Sequence, residues 1–290
     1  MRRTMLYLPG NNPNMLVRGH LFGSDGIIMD LEDAVALTEK DAARCMVSRF
    51  LARGDFGNTE VTVRINGADT EFWRKDLAAV IPHKRLDGIR LPKADSPQII
   101  KDVDEELCIL EDRFGIPQGR TKIFCILETA YGIWHAYDVA KASPRVTAIL
   151  PGGEDLVADL KTSRTPEGTE LEWSRRMIVI AARAAGVDAI DLMFPRVTDD
   201  EGLRKDAQFS KDLGFDGKSV IHPNQIGIIH SVFTPSEKEI EKAQRIIAAA
   251  EDAKARGLGT VSVDGRMVDI PVVKRAHYIL IKAGLEKEAQ

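Results

Sequence analysis

Cysteine is scarce in this chain and poorly placed for structural chemistry. Its three copies, Cys45, Cys108 and Cys125, are odd in number, scattered and free of any CxxC spacing. That pattern argues against a disulfide framework and against a thiolate zinc site, and it fits a reducing compartment. Long apolar runs are missing as well: no stretch of 18 apolar residues occurs, so no membrane-spanning helix is expected. The opening MRRTMLYLPG is basic but lacks the apolar core of a secretory signal, and a cytoplasmic location is expected. Nor is there an excess of positive charge. With 40 Lys and Arg against 44 Asp and Glu the formal net charge is −4, whereas a nucleic-acid partner normally demands a basic face. No internal repeat or low-complexity tract is evident.

What is present, 290 residues at 44% hydrophobic and 29% charged, is ordinary globular material, long enough to bury a large core. Eight short apolar runs recur along it: MLYLP (5–9), GIIMDL (26–31), EVTVRIN (60–66), DGIRLP (87–92), KIFCILE (122–128), VTAILP (146–151), DAIDLMF (188–194) and GKSVIH (217–222). They are continuous rather than alternating, the pattern of parallel strands buried on both faces. Segments of helical period lie between them. Thr38-Glu39-Lys40-Asp41 reads as a capping box before AARCMVSRFLAR, and Ser96-Pro97 as a cap with a first-turn proline. Thr234-Pro235-Ser236-Glu237 reads the same way for a long helix ending near Gly257.

Strand and helix alternating eight times is the count of a (β/α)8 TIM barrel. A doubly wound open sheet would want GxGxxG after its first strand, and here that turn reads PGNNPN. The expected organisation is a barrel over residues 1–234 and a C-terminal extension over 235–290.

Barrel chemistry sits at the C-terminal strand ends. Those ends carry Asp30, Glu32 and Asp33 after the second run, Arg64 and Asn66 on the third, and Lys93 after the fourth. Glu128 closes the fifth, Gly152-Gly153-Glu154-Asp155 follows the sixth, and His222 ends the eighth. Each acid taken alone could equally be a helix cap. Glu128 and Asp155, two carboxylates on neighbouring strands without a histidine cluster, suit a hard ion with oxygen ligands, Mg²⁺ or Mn²⁺. Arg64 inside a buried strand needs an anion. That anion is either Asp30 or Glu32 as a structural partner, or a substrate carboxylate or oxyanion. Lys93 is either a Schiff-base lysine or, more simply, a lysine at the rim. His222, ahead of Pro223, could be no more than a turn residue, and Arg18 a solvated cation.

With these residues in place the chain resembles the citrate lyase β-subunit family, within the HpcH/HpaI aldolase group that includes malyl-CoA and citramalyl-CoA lyases. The segments carrying the resemblance, in order along nearly the whole chain, are RRTMLYLPGNNP, IIMDLEDAVALTEKDAAR, VRINGADT, IRLPKADS, ILETAYGI, PGGEDL, GFDGKSVIHPNQI and VDGRMVDIPVVKRA. The N-terminal third and GFDGKS look like citrate lyase β-subunits. GGEDL and VIHPNQI look more like free-standing CoA-thioester lyases, and Asn14 stands where some CoA-dependent members have a lysine.

The resemblance implies a TIM barrel that cleaves a C–C bond in a 3-hydroxyacyl thioester, a citryl thioester first of all, with the carrier being CoA or an acyl carrier protein. It implies Glu128 and Asp155 as Mg²⁺ ligands and Arg64 as the substrate-binding arginine. The backbone at Gly153 and Glu154 would hold the acid's carboxylate, and Tyr7, Arg18 and His222 would contact the thioester carrier. Asp269 would be an acid/base group reaching a neighbouring subunit's active site, which requires a homo-oligomer, trimer or hexamer. Glu32 and Asp33 are expected at the mouth, ordering water or Arg64, and Asp30 is expected to be structural. Three rivals stand beside this: a metal-free aldolase built on Lys93, a Mg²⁺ enzyme of the phosphoenolpyruvate/pyruvate type, and a subunit active only within a carrier-dependent complex.

Overall fold

A parallel strand flanked by helices on one side and by other strands' side chains on the other has no solvent face, which is why the eight apolar runs are continuous. The computed structural model describes residues 1–287. Its strands are β1 (Thr4–Pro9), β2 (Gly26–Asp30), β3 (Glu60–Arg64), β4 (Gly88–Leu91), β5 (Lys122–Leu127), β6 (Val146–Pro151), β7 (Asp188–Asp191) and β8 (Gly217–Val220). They form a closed barrel in sequence order, every pair parallel, with β1 returning to β8 through Thr4 opposite Lys218 and Leu6 opposite Val220. Closure leaves no unpaired edge. The TIM-barrel expectation therefore holds.

Met5, Ile28, Phe124, Ala148, Leu150 and Ile190 form one buried cluster, with Tyr7 packed against it. Residues from strands on opposite sides of the ring can meet only in the barrel interior. That interior is not purely apolar. Two guanidinium groups lie over the Phe124 ring, Arg2 at 4.9 Å and Arg90 at 5.0 Å from its centroid. Arg2 is paired with Glu60 and Asp188. Arg90 is completely buried, and both its Nη atoms lack a hydrogen-bond partner.

Several strands stop short of the apolar runs that announce them. The run to Phe194 ends as a strand at Asp191, the run to Asn66 at Arg64, and the run to His222 at Val220. Ile65 still donates to the Arg90 carbonyl of β4 at 3.1 Å, and the residues beyond enter the loops of the barrel's C-terminal face. On the outer side of β7 and β8, Asp191 and Lys218 are fully buried and joined by Arg175 and Asp206. Two cations thus meet two anions, tying the helices Glu172–Ala185 and Asp200–Leu213 to these strands. Burial alone would raise the Asp191 carboxyl, but Arg175 and Lys218 outweigh it and hold it well below the usual range.

Caps follow the sequence in part. Ser96 accepts from the Ile99 N–H, with Pro97 in the first turn of Pro97–Arg113. Thr38 caps nothing: Leu37–Glu39 is a 3₁₀ turn, and the helix Lys40–Arg53 starts without a side-chain cap. Lys40 instead reaches back, its Nζ 2.7 Å from the carbonyls of both Leu31 and Glu32.

The chain divides into two compact units, residues 2–230 and the residues from Ser231 onward together with Met1. In the second, Ser236 caps the helix Glu237–Ala255 in a capping box with Glu239, leaving Pro235 outside the helix rather than in its first turn. β9 (Val261–Val263) and β10 (Arg266–Val268) form a hairpin turned at Asp264 and Gly265, whose φ values are +51° and +72°. Positive φ at both central positions is the turn that suits a two-residue hairpin. The helix Ile270–Lys282 then packs on the first through Ala243, Ala276 and Leu280. No helix among the described residues is long and apolar enough to cross a membrane.

Candidate active site

The acid cluster after β2 has a partner. In the β2–β3 register Asp30 lies opposite Arg64, and the side chains meet in a two-pronged pair: Nε donates to Oδ1 at 2.7 Å and Nη2 to Oδ2 at 2.6 Å. Nη1 donates to Asp33 at 3.2 Å. It also stands 2.7 Å from Glu32 Oε2 as an ion pair, out of line for a hydrogen bond. The guanidinium lies 5.1 Å from the centroid of the Tyr7 ring. Burial would lower the Arg64 pKa, but Asp30 and its neighbours drive it well upward. Asp30 itself is tied down by the N–H groups of Glu32 and Ala34. Of the two partners the sequence offers Arg64, the structure pairs it first with the protein's own carboxylate. Of its five N–H donors, the three hydrogen bonds to Asp30 and Asp33 leave two for other acceptors.

Glu128, just past β5, is the opposite case, an anion with little to hold it. It is 4% exposed, and its one protein donor among the described residues is the Lys93 N–H, 3.1 Å from Oε2. Burial first, then the charges of Glu32 and Asp155, push its carboxyl up to about 8 against the opposing pull of Arg64. Glu32 is likewise pushed up, to about 7, by burial and by Asp33 and Asp30, with Arg64 opposing. Lys93 makes its bond from a left-handed backbone, φ +49°, a conformation costing a non-glycine residue about 1–2 kcal/mol. The Glu128 N–H donates to Asp95 Oδ1 at 2.9 Å. A Cβ at Gly152 would stand 2.4 Å from Glu128 Cγ, so only glycine lets the next strand's end pass beside this carboxylate.

Gly153, Glu154 and Asp155 form the first turn of the helix Gly153–Asp159, where N–H groups have no intrahelical acceptor. Glu154 and Asp155 are exposed. No group of three or more His, Cys, Asp or Glu able to hold a metal exists among the described residues. The donor set nonetheless fits a hard divalent cation. A buried carboxylate with one neutral donor and two like charges nearby is only partly offset by Arg64. Two carboxylates with the remaining positions left to water and substrate oxygens is how Mg²⁺ is usually held.

Of the other candidates, Arg18 is exposed in the last turn of the helix Pro13–Arg18. His222 accepts from the Asn224 N–H in the turn after β8. Asp269 belongs to the second unit, where it caps the helix Ile270–Lys282 by accepting from the Val272 N–H at 3.2 Å. Burial would lower the Lys93 ammonium pKa, but Asp69, 3.3 Å away, raises it, whereas a Schiff-base lysine needs the opposite shift. Lys40, Asp95, Arg90 and Arg164 were not singled out from the sequence. Asp95 sits two residues from Lys93, a polar position at the mouth-side end of a strand, and that placement could have marked it.

Comparison with known proteins places the chain in a family. The family model for HpcH/HpaI aldolase/citrate lyase matches residues 3–223, and one for a C–C bond lyase of the TIM-barrel fold matches residues 172–285. The chain belongs to the HpcH/HpaI aldolase/citrate lyase family. Within the family it is 44% identical over 280 residues to the citrate lyase subunit beta of Leuconostoc mesenteroides subsp. cremoris, covering 97% of this chain and 92% of that one. It is 37% identical to a (3S)-malyl-CoA thioesterase of Cereibacter sphaeroides, covering 97% and 94%. A crystal structure of the protein CitE from Mycobacterium tuberculosis, in complex with magnesium, acetoacetate and coenzyme A, superposes with a TM-score of 0.80. Its identity is 29%, over 97% of this chain and 98% of that one.

Proposed function

We propose that this chain is a magnesium-dependent carbon–carbon lyase that cleaves a citryl thioester into oxaloacetate and an acetyl thioester. The observation that carries the chemistry is the buried, under-compensated Glu128 beside Asp155 and the Asp30-anchored Arg64. The choice of acyl group is supported by the identity to citrate lyase β-subunits, and the metal by relatives crystallised with magnesium and keto acids.

Glu128 and Asp155 would hold the ion, which supplies Lewis-acid polarisation of the oxygen on the carbon that becomes the ketone. The N–H groups of Gly153 and Glu154, unpaired at a helix start, take the carboxylate on that same carbon. Transfer of the hydroxyl proton to water at the mouth and rupture of the C–C bond, whose electron pair passes to the acetyl fragment, leave oxaloacetate and an acetyl-thioester enolate. Arg64 meets its oxyanion with the two donors that Asp30 and Asp33 do not use, a role worth about 3–4 kcal/mol by analogy with oxyanion-hole donors. Asp30 fixes the guanidinium in place, while Glu32 and Asp33 orient it and the water at the mouth. Asp269 protonates the enolate carbon, and in reverse removes a methyl proton. It does so from the C-terminal extension of a neighbouring protomer, making the active assembly a homo-oligomer, trimer or hexamer. Tyr7, Arg18 and His222 contact the carrier, CoA or an acyl carrier protein.

The 37% identity to malyl-CoA thioesterases favours a second reading, a free-standing enzyme of malyl- or citramalyl-CoA. The test is release of keto acid and of free thiol by the purified chain with Mg²⁺, from citryl-CoA, citramalyl-CoA and malyl-CoA in parallel. Keto acid from citryl-CoA, abolished by EDTA, is the expected result. Faster turnover of another thioester reassigns the substrate, and thiol without keto acid makes the chain a hydrolase. Silence on all three from a folded oligomer points to a subunit that works only with its acyl carrier.

A further inference from the structure

Beside Gly153 lies a cavity of about 700 Å³ whose walls include Arg164, Leu192, Phe194 and Arg196. A Cβ at Gly153 would stand 3.0 Å from Arg164 Nη1 and 3.4 Å from Leu192 Cδ1. Glycine here is what allows the guanidinium to lie against the backbone that carries Glu154 and Asp155. The guanidinium is also under-bonded. Its Nε and Nη1 are buried without a hydrogen-bond partner, and the nearest carboxylates, Glu154 at 3.8 Å and Glu170 at 3.6 Å, stand beyond hydrogen-bond range. Glu170 Oε2 accepts from Thr165 Oγ1 at 2.6 Å, while its Oε1, facing Arg164 Nε, is likewise buried without a hydrogen-bond partner.

Oxaloacetate differs from pyruvate and glyoxylate in carrying a second carboxylate, one carbon away from the ketone. That charge needs a cation at the edge of the site. Arg64 is bound to Asp30, Lys93 to Asp69 and Arg196 to Asp199, and Arg90 is sealed in the barrel. Arg164 holds only loose ion pairs, at 3.8 Å to Glu154 and 3.6 Å to Glu170, next to the segment that takes the first carboxylate, and it has a planar fork that matches a carboxylate.

We propose that Arg164 reads this second carboxylate and so sets the preference for a citryl over a citramalyl or malyl thioester. The inference rests on the retro-Claisen reading and names its specificity residue. A site built to pair a charged group rejects an analogue lacking it, because its own donors are then left unmade. Pyruvate leaves Arg164 with only its loose pairing to Glu154 and Glu170.

The test is binding of freshly dissolved oxaloacetate and of pyruvate to the Mg²⁺-loaded protein by calorimetry, for wild type, Arg164→Met and Arg164→Lys. Wild type should favour oxaloacetate, and Arg164→Met should shrink that preference by about 10- to 150-fold, the range for a hydrogen bond to a charged group. Arg164→Lys, which keeps the charge and loses the fork, should fall between and serves if the methionine variant does not fold. The citryl-to-citramalyl ratio of kcat/KM should shift with it. Equal losses for both keto acids, or for Mg²⁺ itself, overturn the inference and make Arg164 a brace for Gly153–Asp159. Wild type with no preference for oxaloacetate overturns it too. A wild type that prefers oxaloacetate yet cleaves no thioester, whether carried on CoA or on an acyl carrier protein, leaves it standing and removes the lyase reading.

Discussion

Replacing Glu128 with glutamine should make the metal-free protein more stable at pH 8 while weakening its hold on magnesium. The folded-state pKa of Glu128 is about 8 against an ordinary value of 4.5. Between those values the folded protein keeps a proton that the unfolded chain has released, so stability falls as pH rises through the window and levels off above it. At about 1.4 kcal/mol per pH unit the interval amounts to about 5 kcal/mol. Glutamine cannot ionise. Its carboxamide keeps an acceptor for the Lys93 N–H and can offer a donor to the Glu32 and Asp155 charges. Glu32, raised to about 7, acts in the same direction. His83, whose pKa burial lowers, acts in the opposite one. His83 cancels in the difference between the two proteins, whereas Glu32, whose charge acts on Glu128, is relieved by the substitution, so the difference reads Glu128 together with its interaction with Glu32. Urea midpoints measured in EDTA at pH 5 and pH 8, at fixed protomer concentration, provide the comparison. Wild type should lose several kcal/mol across that range and the variant markedly less. Saturating Mg²⁺ should restore wild type, by about 2.7 kcal/mol at a hundredfold excess over Kd, and not the variant. Equal pH slopes in the two proteins, or a variant less stable than wild type at pH 8 in EDTA, would refute the placement of an uncompensated carboxylate here.

Magnesium binding should release a proton below pH 8, with apparent affinity falling about tenfold per pH unit as Glu128 protonates; calorimetry in buffers of different ionisation enthalpy reads this directly, and pH-independent affinity would count against it. Asp30→Asn breaks the two-pronged hold on Arg64 and should cost about 3–5 kcal/mol of stability, with kcat falling more than KM rises; a variant with wild-type kcat would detach Arg64 from the chemistry. Asp269→Asn should leave the helix cap intact, since asparagine caps as well as aspartate, and leave binding nearly unchanged while turnover collapses. Near-wild-type turnover there would sink the acid/base role.

The barrel was legible because parallel strands buried on both faces leave continuous apolar runs, eight of them, and because helical segments separate them. The mouth residues were legible for a related reason. A charge at the end of an apolar run, as at Glu128, must either reach a partner or lie at a rim. In the second unit the cap expected at Thr234 falls two residues later, at Ser236, and Asp269, expected as an acid/base group, also caps a helix. Thr38 caps nothing, and Lys40 bonds the carbonyls of Leu31 and Glu32, a contact no propensity encodes.

The sequence by itself thus determined the strand count, the closed parallel architecture and the kinds of group gathered at one face, since these follow from periodicity and from the cost of burying charge. Which carboxylate Arg64 takes was decided by the β2–β3 register, which sets Asp30 beside it. That Glu128 stands under-compensated, and that Arg164 packs against Gly153 with two unbonded donors, depend on the depth of burial and on contacts between segments distant in the chain. Electrostatic energy depends on distance and on surrounding dielectric, and both are properties of the folded molecule.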